Sequence, residues 1–285
     1  MAISKVGVVG CGLMGAGIAQ VTAQAGVRTT VVEATQELLD RGLGAIRRSL
    51  DSLTEKGRLD ARERDAAWGR ITGTVRLEDL RDADLVIEAI TENAALKKET
   101  FGRLDRICPP HALFASNTSS CTITELAAAT KRPAQVLGLH FFNPAPVMKL
   151  VEVVRTILTS EETVKAASGF VQALGKTPVA TQDTTGFIVN RLLVPYLLEA
   201  IRLLEAGIAS KEDIDQAMKL GCGYPMGPFT LLDLVGLDTT LYVAEVMFQE
   251  FREPRFATPP LLRRMVLAGH LGRKSGKGFY DYSSK

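Results

Sequence analysis

Three histidines occur in the chain, His111, His140 and His270, so each can be weighed separately as a proton carrier. His140 closes the apolar run VLGLH, and the ends of parallel strands are where such sheets open onto their ligands. An imidazole placed there titrates near neutral pH and can exchange a proton with an alcohol. The next apolar run, KLVEVV, carries Glu152, and two prolines in the intervening FFNPAPVM impose an extended turn. Such a return could place the carboxylate beside the ring, where it would fix its orientation, though spacing alone does not establish the pairing. On residue type and position alone, His140 reads equally as catalytic or as structural. His111, which follows Pro109 and Pro110 in a loop, reads as structural.

A second constellation points to a dinucleotide. Gly10, Gly12 and Gly15 form G-x-G-x-x-G, with Leu13 and Met14 inside it, after the apolar run KVGVV and before a helical pattern from Leu13 to Ala25. The first glycine permits the tight turn, the second lets backbone approach a pyrophosphate, and the third lets helix pack on strand. The pyrophosphate then meets unpaired N–H groups at a helix start. The next β-rich run, RTTVVE, ends in Glu33, whose carboxylate can accept the ribose hydroxyls of NAD and would repel a 2′-phosphate. No arginine follows in ATQELL, so NAD is favoured over NADP. Further polar groups stand in ASNTSS, residues 115–120, and at Asn190. They could orient a carbinol or carbonyl oxygen, or the serines and threonines could cap a helix beginning near Thr122.

Elements of two kinds must position these groups. The runs KVGVV, RTTVVE, DLVIEAI, ALFASN, QVLGLH and KLVEVV alternate with helical patterns, which predicts an α/β, Rossmann-like N-terminal domain with a mostly parallel sheet over 1–185. Residues 34–81 are longer than a plain crossover needs and read as a helical insertion, either decorative or used to grip substrate. From Gly186 the texture turns helical, with candidates at Phe187–Glu205, Lys211–Leu220, Pro228–Glu250 and Leu261–Ala268. An all-α C-terminal domain over 186–285 follows, serving substrate binding and dimerisation, with a frayed polar tail after Tyr282.

The 285 residues are 46% hydrophobic and 23% charged, ordinary for a folded chain. With 34 basic and 32 acidic residues the formal charge is +2, so no global field selects nucleic acid or an anionic membrane. Cys11, Cys108, Cys121 and Cys222 are scattered and show no metal-ligand spacing. The start shows no leader pattern, and the apolar stretch Leu192–Ala209 is broken by Glu199, Arg202 and Glu205 at helical spacing. A cytoplasmic protein with no metal is expected.

In order along the chain, the segments VGVVGCGLMGAGIAQ, VIEAITEN, FASNTSS, GLHFFNPAPVMKLVEVV, DTTGFIVNRLLVPYLLEA, GYPMGPFTLLDLVGLD and GRKSGKGFYDY resemble the 3-hydroxyacyl-CoA dehydrogenase family, including bacterial 3-hydroxybutyryl-CoA dehydrogenases. The resemblance implies His140 as general acid/base paired with Glu152, and Ser119 and Asn190 at the reacting end of an acyl-CoA substrate. It adds Glu92, Lys97, Ser119, Asn143 and Lys274 to the cofactor contacts, and makes Lys56 a candidate for gripping CoA. It also implies a homodimer and a place in fatty-acid or related acyl-CoA metabolism. Two other readings compete: a lysine-dependent 3-hydroxy acid dehydrogenase, and a non-catalytic NAD-binding protein of the lens-crystallin kind.

Overall fold

The computed structural model describes residues 3–283. Residues 284 and 285, the end of the expected frayed tail, lie outside the described residues. The chain divides into two compact units, with the break between Thr184 and Thr185.

The first unit is built on one sheet. Its strands are β1 (Lys5–Val9), β2 (Arg28–Val32), β3 (Ile71–Thr74), β4 (Leu85–Glu88), β5 (Leu113–Ser116), β6 (Val136–Phe141), β7 (Leu150–Arg155) and β8 (Thr177–Gln182). Among the described residues these eight lie in the order β3-β2-β1-β4-β5-β6-β7-β8. Every pairing is parallel except β6 with β7. The connecting helices are α1 (Leu13–Gln24), α2 (Gln36–Glu55), α3 (Ala61–Gly69), α4 (Ala94–Ile107), α5 (Ile123–Ala128) and α6 (Glu161–Ala173).

Strand side chains alternate between faces, so each strand serves two layers. Val8, Ile87, Ala115, Leu139 and Val153 join Ile18, Leu39, Ile46 and Phe170 of the helices in one apolar core. The intervening positions, Glu88, Ser116, His140 and Glu152, therefore fall on the opposite face. The parallel register pairs Glu88 with Ser116, and the antiparallel register pairs His140 with Glu152. Polar groups thus line up across the strand ends while burial behind them holds the strands in place.

In the first unit two features depart from the sequence expectation. Residues 34–81 are not wholly helical, because β3 lies inside them, parallel to β2. ITGT is short and its register places Gly73 against Leu39 and Leu43 of α2, so the strand carries little apolar signal of its own. TPVATQ forms the edge strand β8, where half-exposed polar residues and Pro178 blur the alternation.

The second unit contains α7 (Val189–Glu205), α8 (Lys211–Cys222), α9 (Pro228–Val235), α10 (Leu237–Phe251) and α11 (Pro260–Leu267). The stretch Pro228–Glu250, expected as one helix, is two. Gly236 breaks it with φ 102°, a value no helix accommodates. Leu197, Leu198, Phe229, Leu232, Ala244 and Met247 form its core. No helix of the described residues is long and apolar enough to cross a membrane.

The turn from β1 to α1 separates two kinds of glycine. A Cβ at Gly15 would stand 1.9 Å from the Gly10 carbonyl oxygen, whereas one at Gly12 would meet nothing within 4 Å. Gly15→Ala should therefore destabilise the fold by about 3 kcal/mol through backbone displacement. Gly12→Ala should leave the melting temperature unchanged yet weaken NADH binding, because the space it fills is on the side open to ligand. Calorimetry and NADH fluorescence titration of the two variants check the pair, and equal loss of stability in both would refute the distinction.

Candidate active site

The glycine loop presents an open helix end. Gly12 precedes α1 with no side-chain cap, and no acidic residue stands in the first turn. The first N–H groups and the helix dipole are thus left to an anion. Leu13 is exposed and Met14 half-buried beside them. Glu33, one residue beyond β2, accepts the Cys11 backbone N–H at 2.7 Å through Oε1 and its neighbour Ala34 N–H at 2.8 Å through Oε2. Each carboxylate oxygen retains a second acceptor direction for a ribose hydroxyl. The loop, its empty cradle at Gly12 and this acid fit NAD. Burial and the Glu33 charge together push the Cys11 thiol up to about 12, so it stays protonated beside the loop.

At the ends of β4 and β5 lies a buried charge network. Glu88 and Lys97 are 0% and 1% exposed and stand 2.7 Å apart. Glu88 also accepts Ser116 Oγ at 2.6 Å and the Ile90 N–H at 2.7 Å. Removing one partner of such a pair costs roughly 3–5 kcal/mol, since it strands a charge away from water. Above it, Glu92 accepts Thr118 Oγ1 at 2.6 Å and the Ser119 N–H at 3.2 Å, and lies 3.7 Å from Lys97. Ser119 is held by its backbone from Glu92. Lys97, expected on the cofactor from the resemblance, has its ammonium turned inward to Glu88.

His140 and Glu152 meet as the antiparallel register requires. Nδ1 of the ring and Oε2 of the carboxylate are 2.6 Å apart, and Glu152 is fully buried. The carboxylate accepts, so Nδ1 carries the proton and the ring is held in one tautomer. Phe142 packs on the imidazole with ring centroids 4.6 Å apart. Asn117 Oδ1 accepts the Phe141 N–H at 2.9 Å, tying the loop after β5 to the strand that carries the histidine. Asn143 is exposed and leads into Pro144 through a cis peptide bond.

Other expected residues are found as follows. Lys56 is exposed at the end of α2, beside the turn into α3. In the second unit Asn190 is half-buried in the first turn of α7. Lys274 lies 2.6 Å from Asp238. The helix near Thr122 receives no cap from the Thr122 side chain. Asp183 provides one from the chain after β8, accepting the Ile123 and Thr124 N–H groups at 3.0 and 2.7 Å. Sequence reading missed Glu88, Asn117 and Asp183 as organisers of this region. A lone acid closing the apolar run LVIE was the available signal for Glu88.

Residues 5–184 match the 3-hydroxyacyl-CoA dehydrogenase, NAD binding domain, and residues 186–282 match the 3-hydroxyacyl-CoA dehydrogenase, C-terminal domain. A 3-hydroxybutyryl-CoA dehydrogenase of Mycobacterium tuberculosis is 54% identical over 283 residues, covering 99% of both chains. The mitochondrial hydroxyacyl-coenzyme A dehydrogenase of Homo sapiens is 49% identical over 287 residues, covering 98% of this chain and 91% of that one. Among solved structures, (S)-3-hydroxybutyryl-CoA dehydrogenase PaaH1 from Ralstonia eutropha superposes with a TM-score of 0.95 at 44% identity, covering 99% of this chain and 100% of the other. With both domains matched in order along one chain and relatives near half-identical over its length, this protein belongs to the 3-hydroxyacyl-CoA dehydrogenase family and is NAD-dependent.

Proposed function

We propose that the chain interconverts (3S)-3-hydroxyacyl-CoA and 3-oxoacyl-CoA with NAD(H), and that 3-hydroxybutyryl-CoA is its substrate. The observation that carries this reading is the 2.6 Å contact between His140 Nδ1 and the buried Glu152 carboxylate. With Nδ1 committed to Glu152, proton exchange with the 3-hydroxyl falls to Nε2. NAD, when bound, supplies the acceptor or donor of the C3 hydride. Glu152 holds the ring against rotation and stabilises the imidazolium formed as the hydroxyl proton is taken up. In the reverse direction the same nitrogen returns the proton to the ketone oxygen. Ser119 and Asn190 are assigned to that oxygen. Gly10, Gly12, Leu13, Met14, Gly15 and Glu33 are assigned to the cofactor, with Glu92, Asn143 and Lys274 as further contacts and Lys97 acting from behind through Glu88 and Glu92.

CoA is assigned to the α2–α3 hairpin through Lys56. The domains implied are 1–185 for the cofactor and 186–285 for substrate and dimerisation. A cytoplasmic homodimer acting in fatty-acid or related acyl-CoA metabolism completes the reading.

Oxidation of NADH by acetoacetyl-CoA, followed by absorbance, is the direct test. The wild-type protein should turn over rapidly and give the (3S)-alcohol. A lysine-dependent 3-hydroxy acid dehydrogenase or a non-catalytic NAD-binding protein would leave NADH untouched. His140→Gln should keep NADH affinity while kcat falls about 10²- to 10⁴-fold. Near-normal turnover by that folded variant would remove the mechanism.

Cofactor choice gives a separate check. Glu33→Gln keeps an acceptor for the Cys11 N–H but removes the charge. Losing a charge-assisted hydrogen bond should raise the KM for NADH about tenfold or more, and losing the repulsion should lower that for NADPH. Unchanged constants for both nucleotides would take Glu33 out of cofactor selection.

A further inference from the structure

Lys176, the residue before β8, is 8% exposed and makes no ion pair among the described residues. Its Nζ instead donates to two backbone carbonyls, Ala145 O at 2.6 Å and Met148 O at 2.7 Å. Burial holds the ammonium below the usual lysine range, and the nearby Lys149 charge adds to this. A buried cation without a carboxylate is an expensive way to fill space, and an aliphatic side chain would fill it at lower cost. What the cation alone supplies is a pair of strong donors to one particular turn.

That turn joins the two strands of the reaction pair. It leaves β6 just after His140, passes through Asn143 and Pro144, and re-enters the sheet at Leu150, two residues before Glu152. Its own bonds, from the Val147 and Met148 N–H groups to Pro144 O, are local, and only at its end does the backbone tie it outward, where Lys149 O accepts the Thr177 N–H at 2.8 Å. On its far side it rests on the cofactor helix, since a Cβ at Gly17 of α1 would lie 3.0 Å from Ala145 Cβ. Lys176 pulls the turn from below, and α1 supports it from the side.

We propose that Lys176 is a positioning residue, which holds the turn 142–149 in the conformation that presents Asn143 to the cofactor and keeps His140 aligned with the hydride acceptor. The proposal rests on the dehydrogenase reading given above. A displacement of about 1 Å in such a turn is enough to lower a reaction rate by two orders of magnitude. Lys176 touches neither ligand, so its effect passes through the two carbonyls.

The test compares Lys176→Met, which removes both donors, with Lys176→Gln, which keeps an uncharged N–H pair one bond nearer the backbone and so restores the contacts only in part. NADH affinity is measured by fluorescence, and kcat and KM are measured with acetoacetyl-CoA well below each variant's melting temperature. Lys176→Met should weaken NADH binding about tenfold and lower kcat about 10- to 100-fold per folded molecule, with Lys176→Gln between it and the wild type. If Lys176→Met does not fold, Lys176→Gln decides the matter alone. A variant that melts earlier but keeps NADH affinity and kcat within twofold of wild type, per NADH-binding site, would assign Lys176 to stability only and overturn the proposal. Failure of the wild-type protein to use acetoacetyl-CoA would count against the function, whereas the NADH titration of the variants reads the position of the turn independently.

Discussion

The antiparallel pairing of β6 with β7 is the constraint on which the rest of the site depends. Side chains on a strand alternate, so a slip of one residue would send Glu152 into the apolar core and leave His140 facing Val151 or Val153. Register is therefore enforced from both sides. Leu139, Phe141, Val151 and Val153 must stay buried, and the charged pair must stay on the opposite face. The contact between His140 and Glu152 follows from the same hydrophobic pattern that stabilises the sheet. The parallel strands β1 to β6 add the cofactor end, because they direct their carboxyl ends to the side where Gly10, Glu33, Glu88 and Ser116 stand.

Buried or half-buried charge is used repeatedly, and in each case to fix a loop. Glu88 with Lys97 lies under the 117–122 loop, and Asp183 caps the helix that follows that loop. In the second unit Asp233 accepts the Phe279 and Tyr280 N–H groups, and Asp215 caps α9 while accepting the Tyr280 hydroxyl. These carboxylates find three or four donors each, which is the condition under which withdrawing them from water is tolerable. Loops carrying ligand contacts are usually the most mobile parts of an enzyme. Here they are restrained by charged hydrogen bonds rather than by apolar packing, which loops of Ser, Thr, Asn and Gly cannot supply.

Much of this was legible before any coordinates. The glycine spacing, Glu33, and the alternation of apolar runs led to the cofactor end, because each is a local pattern with a local cause. His140 and Glu152 could be nominated but not joined, since residue spacing alone leaves the register of a hairpin open, and the family resemblance was needed to pair them. What escaped notice was non-local. β3 owes its place to α2 packing over Gly73, β8 is an edge strand with no apolar face to declare it, and Gly236 breaks a continuous apolar pattern by backbone geometry alone. In sequence Lys176 looks like an ordinary surface charge, and Glu88 stands out only as a lone acid closing an apolar run. Only the fold shows that each is buried and what it holds.

The hairpin also separates the two halves of the site in the history of the chain. His140 and Glu152 are 12 residues apart, whereas a contact closing β1 onto the start of β4, Lys5 with Asp84, spans 79. Loop-closure entropy disfavours the longer link by about 1.7 kcal/mol, and topology of that kind slows assembly. The His140–Glu152 contact is thus among the less costly long-range contacts for the nascent polypeptide to find, and the closure of β1 onto the start of β4 among the more costly. A chain caught partway through folding would then hold its β6–β7 hairpin together before the sheet had closed around β1.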